Sequence, residues 1–393
     1  MRTTFQLGEI GGIKVRASAS WFGFLLLMTL ILAFYYFPSL PVYSTWGAGL
    51  YLSTALSVSL LFALSVLAHE LAHALLIRHF GNKVTAVMLF FFGGVTLAEG
   101  EPQRPLHEFI VAIAGPIAST LLALGFFAAS FPLGLDTAHP SPISIAAVML
   151  GILNFAMGVF NLLPGLPLDG GKALRAIAWG LSHDPYKADR IAARGGQVVG
   201  GLIIIAGLIL GSIWKDPVSA FFIAYVGWML LQQARYIYRD MVGRRVMSST
   251  PVRAAMMPLD NQVPPGLSLD EAVRRFIIGH TSLESRLQLV VGLGGTVMGL
   301  IAPADISRVP RELWASTTVG QKMNPIGPTI SLAADISLLE ALLAMDKARA
   351  ALALVTDNGE NVGLLDRPAL ASYVTREMAL NLRGQQRGEP PRG

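Results

Sequence analysis

Long apolar segments alternate with short polar loops over the first 240 residues of the chain. Six of these segments approach or exceed the about 20 residues of helix that cross the hydrocarbon core of a bilayer. They lie near 18–38, 48–77, 106–131, 143–163, 197–214 and 217–237. The pattern predicts a polytopic α-helical membrane domain over residues 1–240, with six transmembrane helices.

A different pattern separates the second and third segments. Residues 84–97 are rich in β-branched and aromatic side chains, and the run Phe92-Gly93-Gly94 interrupts them. Such a pattern favours an extended β-hairpin. Because a hairpin at membrane depth must be buried in protein or line a cavity, we predict a re-entrant β-hairpin beside an internal polar site.

Beyond Met247 the chain repeats itself. The run Ser268-Leu269-Asp270-Glu271-Ala272 recurs as Ser337-Leu338-Leu339-Glu340-Ala341, and a short apolar strand follows each copy. A period of roughly 65 residues is too long for a solenoid and suits paired small α/β units. We predict one unit at 247–309, a second at 315–378, and a disordered tail at 383–393, which is rich in Gly, Pro, Gln and Arg.

Charge orients the predicted helices. The loops near 38–47, 131–142 and 214–217 contain one basic residue, Lys215, whereas the alternate loops and the segment after the sixth helix are basic. The positive-inside rule then predicts an integral, multi-pass protein with both termini cytoplasmic. We expect the membrane to be a prokaryotic-type cell membrane.

Composition agrees with this topology. The chain is 53% hydrophobic and 14% charged, whereas soluble domains are about 25% charged. The formal charge is only +5, and the basic residues flank apolar segments, so the predicted partner is the lipid bilayer and not nucleic acid. Cysteine is absent from the sequence, so any metal must be held by His, Asp or Glu.

The run His69-Glu70-Leu71-Ala72-His73 is the main candidate for chemistry. On a helix this spacing places both imidazoles on one face, where they can bind one cation. Glu70 lies next to that face, so it can act as the general base toward a water that the metal activates. Ionisable side chains beside an apolar run mark a functional site; the alternative is a pair of histidines at a helix interface.

A hydrolytic zinc site needs a third protein ligand. The candidates are His107, Glu108, Asp136, His139 and Asp169. His107 and Glu108 begin the third span, where helix capping explains them. Asp136 and His139 are predicted on the opposite side of the membrane. Asp169 is favoured because prolines and glycines in 161–171 break the end of the fourth span on the side of His73. A turn in which Asp169 caps the next helix is the alternative. Asn161 could orient a substrate or satisfy broken backbone groups.

These residues resemble two motifs of the site-2 protease family of intramembrane metalloproteases. The first is matched by His69, Glu70 and His73. The second, asparagine-x-x-proline-x-x-proline-x-aspartate-glycine, is matched by Asn161, Pro164, Pro167, Asp169 and Gly170. The resemblance covers about residues 1–240. It implies one Zn²⁺ per chain on His69, His73 and Asp169, with Asn161 near the catalytic centre, and single-span, membrane-anchored regulatory proteins as substrates.

Two further features have open roles. Phe92, Gly93 and Gly94 resemble the family's element beside the active site; a strand edge there could hold an unwound substrate by β-addition, or the hairpin could only seal the site. The fifth segment carries glycines four residues apart, which suit either a mobile gate or close helix packing.

The C-terminal repeat resembles a pair of cystathionine-β-synthase (CBS) domains, a cytosolic sensor module that binds adenine nucleotides in many proteins. The first copy keeps Asp305 at a ribose-binding position but has Ala302 at the threonine position; the second has Asp366 and then Ala369 where an aspartate would fall. Nucleotide binding through Asp305 and a structural role as a homodimer contact therefore both stay open.

The sequence favours a zinc-dependent intramembrane protease with CBS regulation. Two alternatives belong to other classes: a transporter or channel regulated by the CBS pair, and a zinc-binding membrane scaffold without turnover. The first predicts ion flux that does not depend on Glu70, and the second predicts stoichiometric metal without cleavage.

Overall fold

The computed structural model describes residues 4–40, 43, 46–91, 93–100, 102–133, 141–258, 262–277, 288–292, 297–325 and 329–386. The chain divides into two compact units, Met1–Arg239 and Asp240–Gly393. Each unit is described by itself below.

The first unit is mainly helical. Its helices begin with α1 (Ala19–Ile31), which continues through a π-helical turn (Leu32–Tyr36) into α2 (Phe37–Ser39), and go on with α3 (Ala48–His79), α4 (Pro105–Ser130), α5 (Pro142–Asn161), α6 (Asp169–Ser182), α7 (Pro185–Trp214) and α8 (Pro217–Ser249). Five helices in the described residues are long and apolar enough to cross a membrane: Ala19–Ser39, Ala48–His79, Pro105–Ser130, Pro142–Asn161 and Pro185–Trp214.

The predicted sixth segment lies on α8, which is helical but is not among those five. Gln232, Gln233 and Arg235 interrupt its apolar run. The count of six spans therefore stays a prediction. The fifth span begins at Pro185 instead of the predicted 197, because Asp184 caps it there by accepting hydrogen bonds from the backbone of Tyr186 and Lys187.

A four-stranded sheet packs against the helices. Its strands are β1 (Thr4–Ile10), β2 (Ile13–Ser18), β3 (Lys83–Phe90) and β4 (Gly93–Glu99), in the order β1-β2-β3-β4. The antiparallel pair β3–β4 coincides with the predicted hairpin, while its depth in a bilayer stays a prediction. The hairpin β1–β2 was not predicted. Its signal is the pair Gly11-Gly12, since both have positive φ (56° and 83°) and a two-residue hairpin turn requires that conformation.

Gly200 and Gly207 of α7 lie against α8. A side-chain carbon added at Gly200 would lie 2.8 Å from the backbone nitrogen of Leu231, and one at Gly207 would lie 2.8 Å from that of Ala224. Any larger residue would push the helices apart. The close-packing interpretation of these glycines therefore has direct structural support.

The second unit contains eight short strands and, after the end of α8, five α-helices in its described part. The strands are β5 (Met257–Pro258), β6 (Gln262–Val263), β7 (Gln288–Val291), β8 (Val297–Ile301), β9 (Asn324–Pro325), β10 (Thr329–Ala333), β11 (Leu352–Asp357) and β12 (Glu360–Asp366). The helices are α9 (Leu269–Ala272), α10 (Pro303–Ser307), α11 (Val319–Lys322), α12 (Leu338–Lys347) and α13 (Arg367–Gln386).

The predicted duplication is visible in the strand pairing. The sheets have the orders β6-β7-β8-β9 and β10-β11-β12-β5, each with a parallel pair followed by an antiparallel pair. Ser268 and Ser337 cap corresponding helices by accepting from the backbone of Glu271 and Glu340. Each sheet takes its last strand from the other copy, so the two copies fold together. The bounds 247–309 and 315–378 stay predictions. The last helix runs past the predicted start of the tail at 383, to Gln386, and 387–393 lies outside the described residues.

Candidate metal centre

Three donor atoms from two helices converge inside the first unit. Oδ2 of Asp169 lies 3.1 Å from Nε2 of His69 and 3.1 Å from Nε2 of His73, and the two nitrogens are 3.3 Å apart. The histidines are one turn apart on α3, and Asp169 is the first residue of α6. All three side chains are buried, with exposed fractions of 3%, 4% and 6% for His69, His73 and Asp169.

This spacing suits a metal ion. Donors placed about 2.0–2.1 Å from a tetrahedral zinc are about 3.3 Å from one another. Two imidazole nitrogens and a carboxylate oxygen that face one point are also a donor set that zinc takes in catalytic sites. The residues present therefore fit the ion, and they are the three residues expected from the sequence.

The Nδ1 atoms of both imidazoles point away from the centre and have hydrogen-bond partners on α4. Nδ1 of His73 lies 2.7 Å from the backbone carbonyl of Val111, so it must be the protonated nitrogen and donate there. Nδ1 of His69 lies 2.8 Å from Oγ of Ser119. Partners of this kind fix the ring orientation and the tautomer of a metal-binding histidine, and for His73 they leave the Nε2 lone pair directed at the centre.

Gly115 of α4 completes the pocket around the imidazoles and was missed by the sequence analysis. A side-chain carbon there would lie 2.3 Å from Nε2 of His73 and 2.5 Å from Nε2 of His69. Any side chain at 115 would therefore collide with both imidazole donors. The available signal was the pair Gly115-Pro116 inside an apolar helix, because both residues are unfavourable in a helix interior.

Asp169 is directed at the histidines and does not cap α6. The N-cap residue is Leu168, and the other carboxylate oxygen of Asp169, Oδ1, lies 2.9 Å from Nζ of Lys172. Burial alone would raise the pKa of Asp169. The charge of Lys172 and the hydrogen bonds from the two imidazoles outweigh burial and hold that pKa well below its usual range.

The loop that carries Asp169 is packed against α7 through glycines. A side-chain carbon at Gly196 would lie 1.9 Å from the carbonyl oxygen of Leu166, and one at Gly165 would lie 2.4 Å from Cα of Gly196. The backbone nitrogen of Leu166 also donates to Ala192 of α7. The sequence suggested a mobile gate or close helix packing for the glycines of this helix; Gly196 also positions the aspartate loop.

The side chain of Glu70, on α3, faces the hairpin. Its side chain is 8% exposed, and its Oε2 accepts a hydrogen bond of 2.9 Å from the hydroxyl of Thr96 on β4. A side-chain carbon at Gly94 would lie 2.3 Å from Cγ of Glu70. Gly93 has φ of +135°, a conformation that favours glycine. Phe92, the third residue expected in this element, lies outside the described residues.

A cavity of about 870 Å³ opens onto the three donors and Glu70. Its remaining lining comes from α1, α3, the hairpin, α4, α5, α6 and α8, with the adjoining loops, and is largely aromatic and aliphatic. Asn161 lines this cavity, and its Nδ2 donates to the backbone carbonyl of Met157. His107 and Glu108 line it as well, but Glu108 forms an ion pair of 2.6 Å with Arg175. Asp136 and His139 lie outside the described residues.

Arg175 joins three helices near the cavity. It binds Glu108 of α4 and Asp189 of α7 from its position on α6. Burial alone would lower the pKa of Arg175, but the hydrogen bonds to these two carboxylates raise it above its ordinary value. The guanidinium therefore stays charged and ties α6, which begins with Asp169, to its neighbours.

Asp305 in the second unit is engaged within the chain. Its Oδ2 accepts from the backbone of Ala302 at 3.0 Å and from Nδ2 of Asn324 at 2.9 Å, so it caps α10. Nucleotide binding through this residue stays a prediction.

Apolar spanning helices around a buried His-His-Asp centre, with a carboxylate beside it, define a membrane-embedded metallohydrolase. The profile described as "Peptidase family M50" matches residues 57–136 and 135–207. A protein of Synechocystis, which carries a zinc-metalloprotease name, is 35% identical over 375 residues; the match covers 94% of this chain and 95% of the relative. The chain therefore belongs to peptidase family M50, the site-2 protease family of zinc metalloproteases, as the two motifs predicted.

Solved structures give more distant similarities. The site-2 protease of Methanocaldococcus jannaschii matches with a TM-score of 0.41 and 23% identity, over 60% of this chain and 95% of that one. The CBS domain of a membrane protein from Sphaerobacter thermophilus matches with a TM-score of 0.27 and 21% identity, over 35% of this chain and 96% of that one.

Proposed function

We propose that this protease hydrolyses peptide bonds within the transmembrane segments of single-span, membrane-anchored regulatory proteins, close to the cytoplasmic side. One observation carries the proposal. The donor atoms of His69, His73 and Asp169 face one point, and Glu70 lines the same cavity on α3, a helix that can span a membrane. A membrane helix bundle without a functional site would not bury these ionisable side chains, because their burial in a membrane is costly.

The chain's own residues supply binding and proton transfer. A zinc ion held by His69, His73 and Asp169 supplies Lewis-acid chemistry. Glu70 accepts a proton from the attacking water as the oxygen bonds to the peptide carbonyl carbon. It then delivers that proton to the amide nitrogen as the carbon–nitrogen bond breaks. Thr96 orients the Glu70 carboxylate during both transfers.

The edge strand β4 is the proposed substrate contact. It ends the sheet, and Gly93, Gly94, Val95, Thr96 and Ala98 line the cavity. A helical substrate hides its peptide bonds, so it must unwind before cleavage, and an edge strand can pair with the unwound segment. Gly93 and Gly94 allow that segment to approach closely. Asn161 lines the same cavity and is proposed to orient the substrate.

The test compares the wild type with Glu70→Gln in liposomes that contain a single-span test substrate. We expect cleavage to be lost while one zinc per chain is retained, because Gln keeps the size of Glu but cannot accept the proton. Cleavage at the wild-type rate would reject the mechanism. Ion flux without cleavage would favour the transporter or channel, and bound zinc without cleavage in the wild type would favour the scaffold.

The third ligand needs a separate test. Asp169→Ala removes the carboxylate, and we expect its zinc affinity to fall by at least about 100-fold, since it removes a ligand and not only a supporting contact. Unchanged zinc content and affinity would exclude Asp169 from the metal site. The matched control is Asp184→Ala, which removes a capping carboxylate from the next helix without touching the centre.

Orientation can be measured directly. We propose that both termini are cytoplasmic, because the basic loops alternate along the chain. The absence of cysteine from the sequence makes single-cysteine variants clean reporters. Thr4→Cys and Ser372→Cys should react with an impermeant maleimide only after the cytoplasmic face is opened, whereas labelling of intact cells would reverse the assignment.

The second unit is proposed to regulate cleavage, either through an adenine nucleotide or by holding two chains together. Cleavage should then respond to ATP, or the purified chain should be a dimer by light scattering. If the chain is a monomer and its cleavage rate does not respond to ATP, both proposed roles of this unit are contradicted.

A further inference from the structure

The two oxygens of Asp169 have different partners. Oδ2 faces both imidazoles at 3.1 Å, while Oδ1 is held 2.9 Å from Nζ of Lys172. Lys172 follows Asp169 by three residues on α6, which places both side chains on one helix face. The carboxylate side chain is 7% exposed, whereas that of Lys172 is 49% exposed and lines the cavity.

We propose that Lys172 is a positioning residue: its ion pair with Oδ1 of Asp169 leaves only Oδ2 of that carboxylate to coordinate the metal. This inference rests on the proposed function. A carboxylate can give a metal one oxygen or both, and a hydrolytic zinc site must keep one coordination position open for water or substrate. Holding Oδ1 in a charge-assisted hydrogen bond prevents the second oxygen from taking that position.

An ordinary surface ion pair does not explain this arrangement. Exposed pairs contribute little because both partners remain hydrated and move freely. Here the carboxylate is buried and its other oxygen is fixed by two imidazoles, so the ammonium group determines the rotation of the carboxylate plane. Arg175, one turn further along α6, is bound to Glu108 and Asp189 and does not replace Lys172.

The test uses the purified full-length chain with Co²⁺ in place of Zn²⁺, for the wild type, Lys172→Met and Lys172→Arg. Four-coordinate Co²⁺ absorbs visible light more strongly than five-coordinate Co²⁺. We expect Lys172→Met to lose absorption intensity and to lower kcat by about 10-fold or more, with little change in KM. Lys172→Arg should restore both, since it returns a cationic donor.

Lys187→Met is the matched control. Lys187 forms the same i,i+3 pair with Asp184, at 3.9 Å, but it is exposed and outside the cavity lining. It should leave the spectrum and kcat unchanged. Thermal unfolding of every variant checks that the half-exposed Lys172 position tolerates substitution.

A Lys172→Met protein whose Co²⁺ spectrum and metal affinity equal those of the wild type would overturn the inference. So would a changed spectrum that Lys172→Arg does not restore, since that would be an effect of side-chain size. In both cases the wild type still binds metal and cleaves substrate. Failure of the proposed function is distinguishable, because the wild type itself would then lack metal or cleavage.

Discussion

Gly115 faces His73 so closely that a side-chain carbon at position 115 would lie 2.3 Å from Nε2 of the imidazole. The glycine therefore keeps open the space in which the donors meet. Nearby on α4, Val111 and Ser119 hold the far nitrogens of the two rings. One short stretch of this helix thus sets both the orientation of the histidines and the room between them.

Gly115→Ala should weaken metal binding strongly, because the added methyl group must displace the imidazoles. We expect zinc affinity to fall by about 100-fold or more, as measured by competition with a chelator. Gly125→Ala is the matched control on the same helix, since a side-chain carbon there would meet no atom within 4 Å apart from its own stretch of helix backbone. Equal zinc affinity in the two variants would contradict this account.

Thr96→Val should lower kcat and leave zinc content unchanged. The substitution removes the hydroxyl that donates to Glu70 Oε2 while keeping a similar shape. A hydrogen bond to a charged group contributes about 1.5–3 kcal/mol, so a fall of about 10-fold or more is expected. Thr96→Ser should recover the rate. Thr85→Val, on the partner strand, removes a hydroxyl that donates to the backbone of Leu97 and should have little effect.

Gly196→Ala should move the loop that carries Asp169. The methyl group would collide with the carbonyl of Leu166, and overpacking of this kind costs about 1–3 kcal/mol. We expect a lower melting temperature together with weaker zinc binding. Gly201→Ala, on the same helix in open space, is the control. A loss of stability with normal zinc affinity would show that the loop does not depend on this contact.

Arg175→Met should destabilise the first unit. It leaves Glu108 buried without its ion-pair partner, and breaking a buried pair costs about 3–5 kcal/mol. Adding Glu108→Gln should recover part of the loss, which a double-mutant cycle measures. Arg244→Met removes an exposed pair with Asp240 and should change little. Equal melting temperatures for the two single variants would contradict a structural role for Arg175.

The sequence by itself determined the membrane class, the family and two of the three residues that meet at the centre. Apolar run length fixes which segments can span a bilayer, and four-residue spacing places His69 and His73 on one helix face. These are local properties, since chain geometry relates neighbouring residues directly. The C-terminal duplication could be found for the same reason, because corresponding residues recur in the sequence itself.

Only the tertiary structure decided what surrounds the centre. Gly115, Thr96 and Gly196 matter because of atoms far away in the chain, and a glycine or threonine in an apolar helix or strand carries no local sign of its neighbour. The pairing of β2 with β3, which joins the N-terminal hairpin to the sheet, and the exchange of strands between the two C-terminal copies likewise link distant segments. Asp169 is an intermediate case. The turn that precedes it is visible in the sequence, but the approach of its carboxylate to His69 and His73 depends on how α6 packs against α4 and α7.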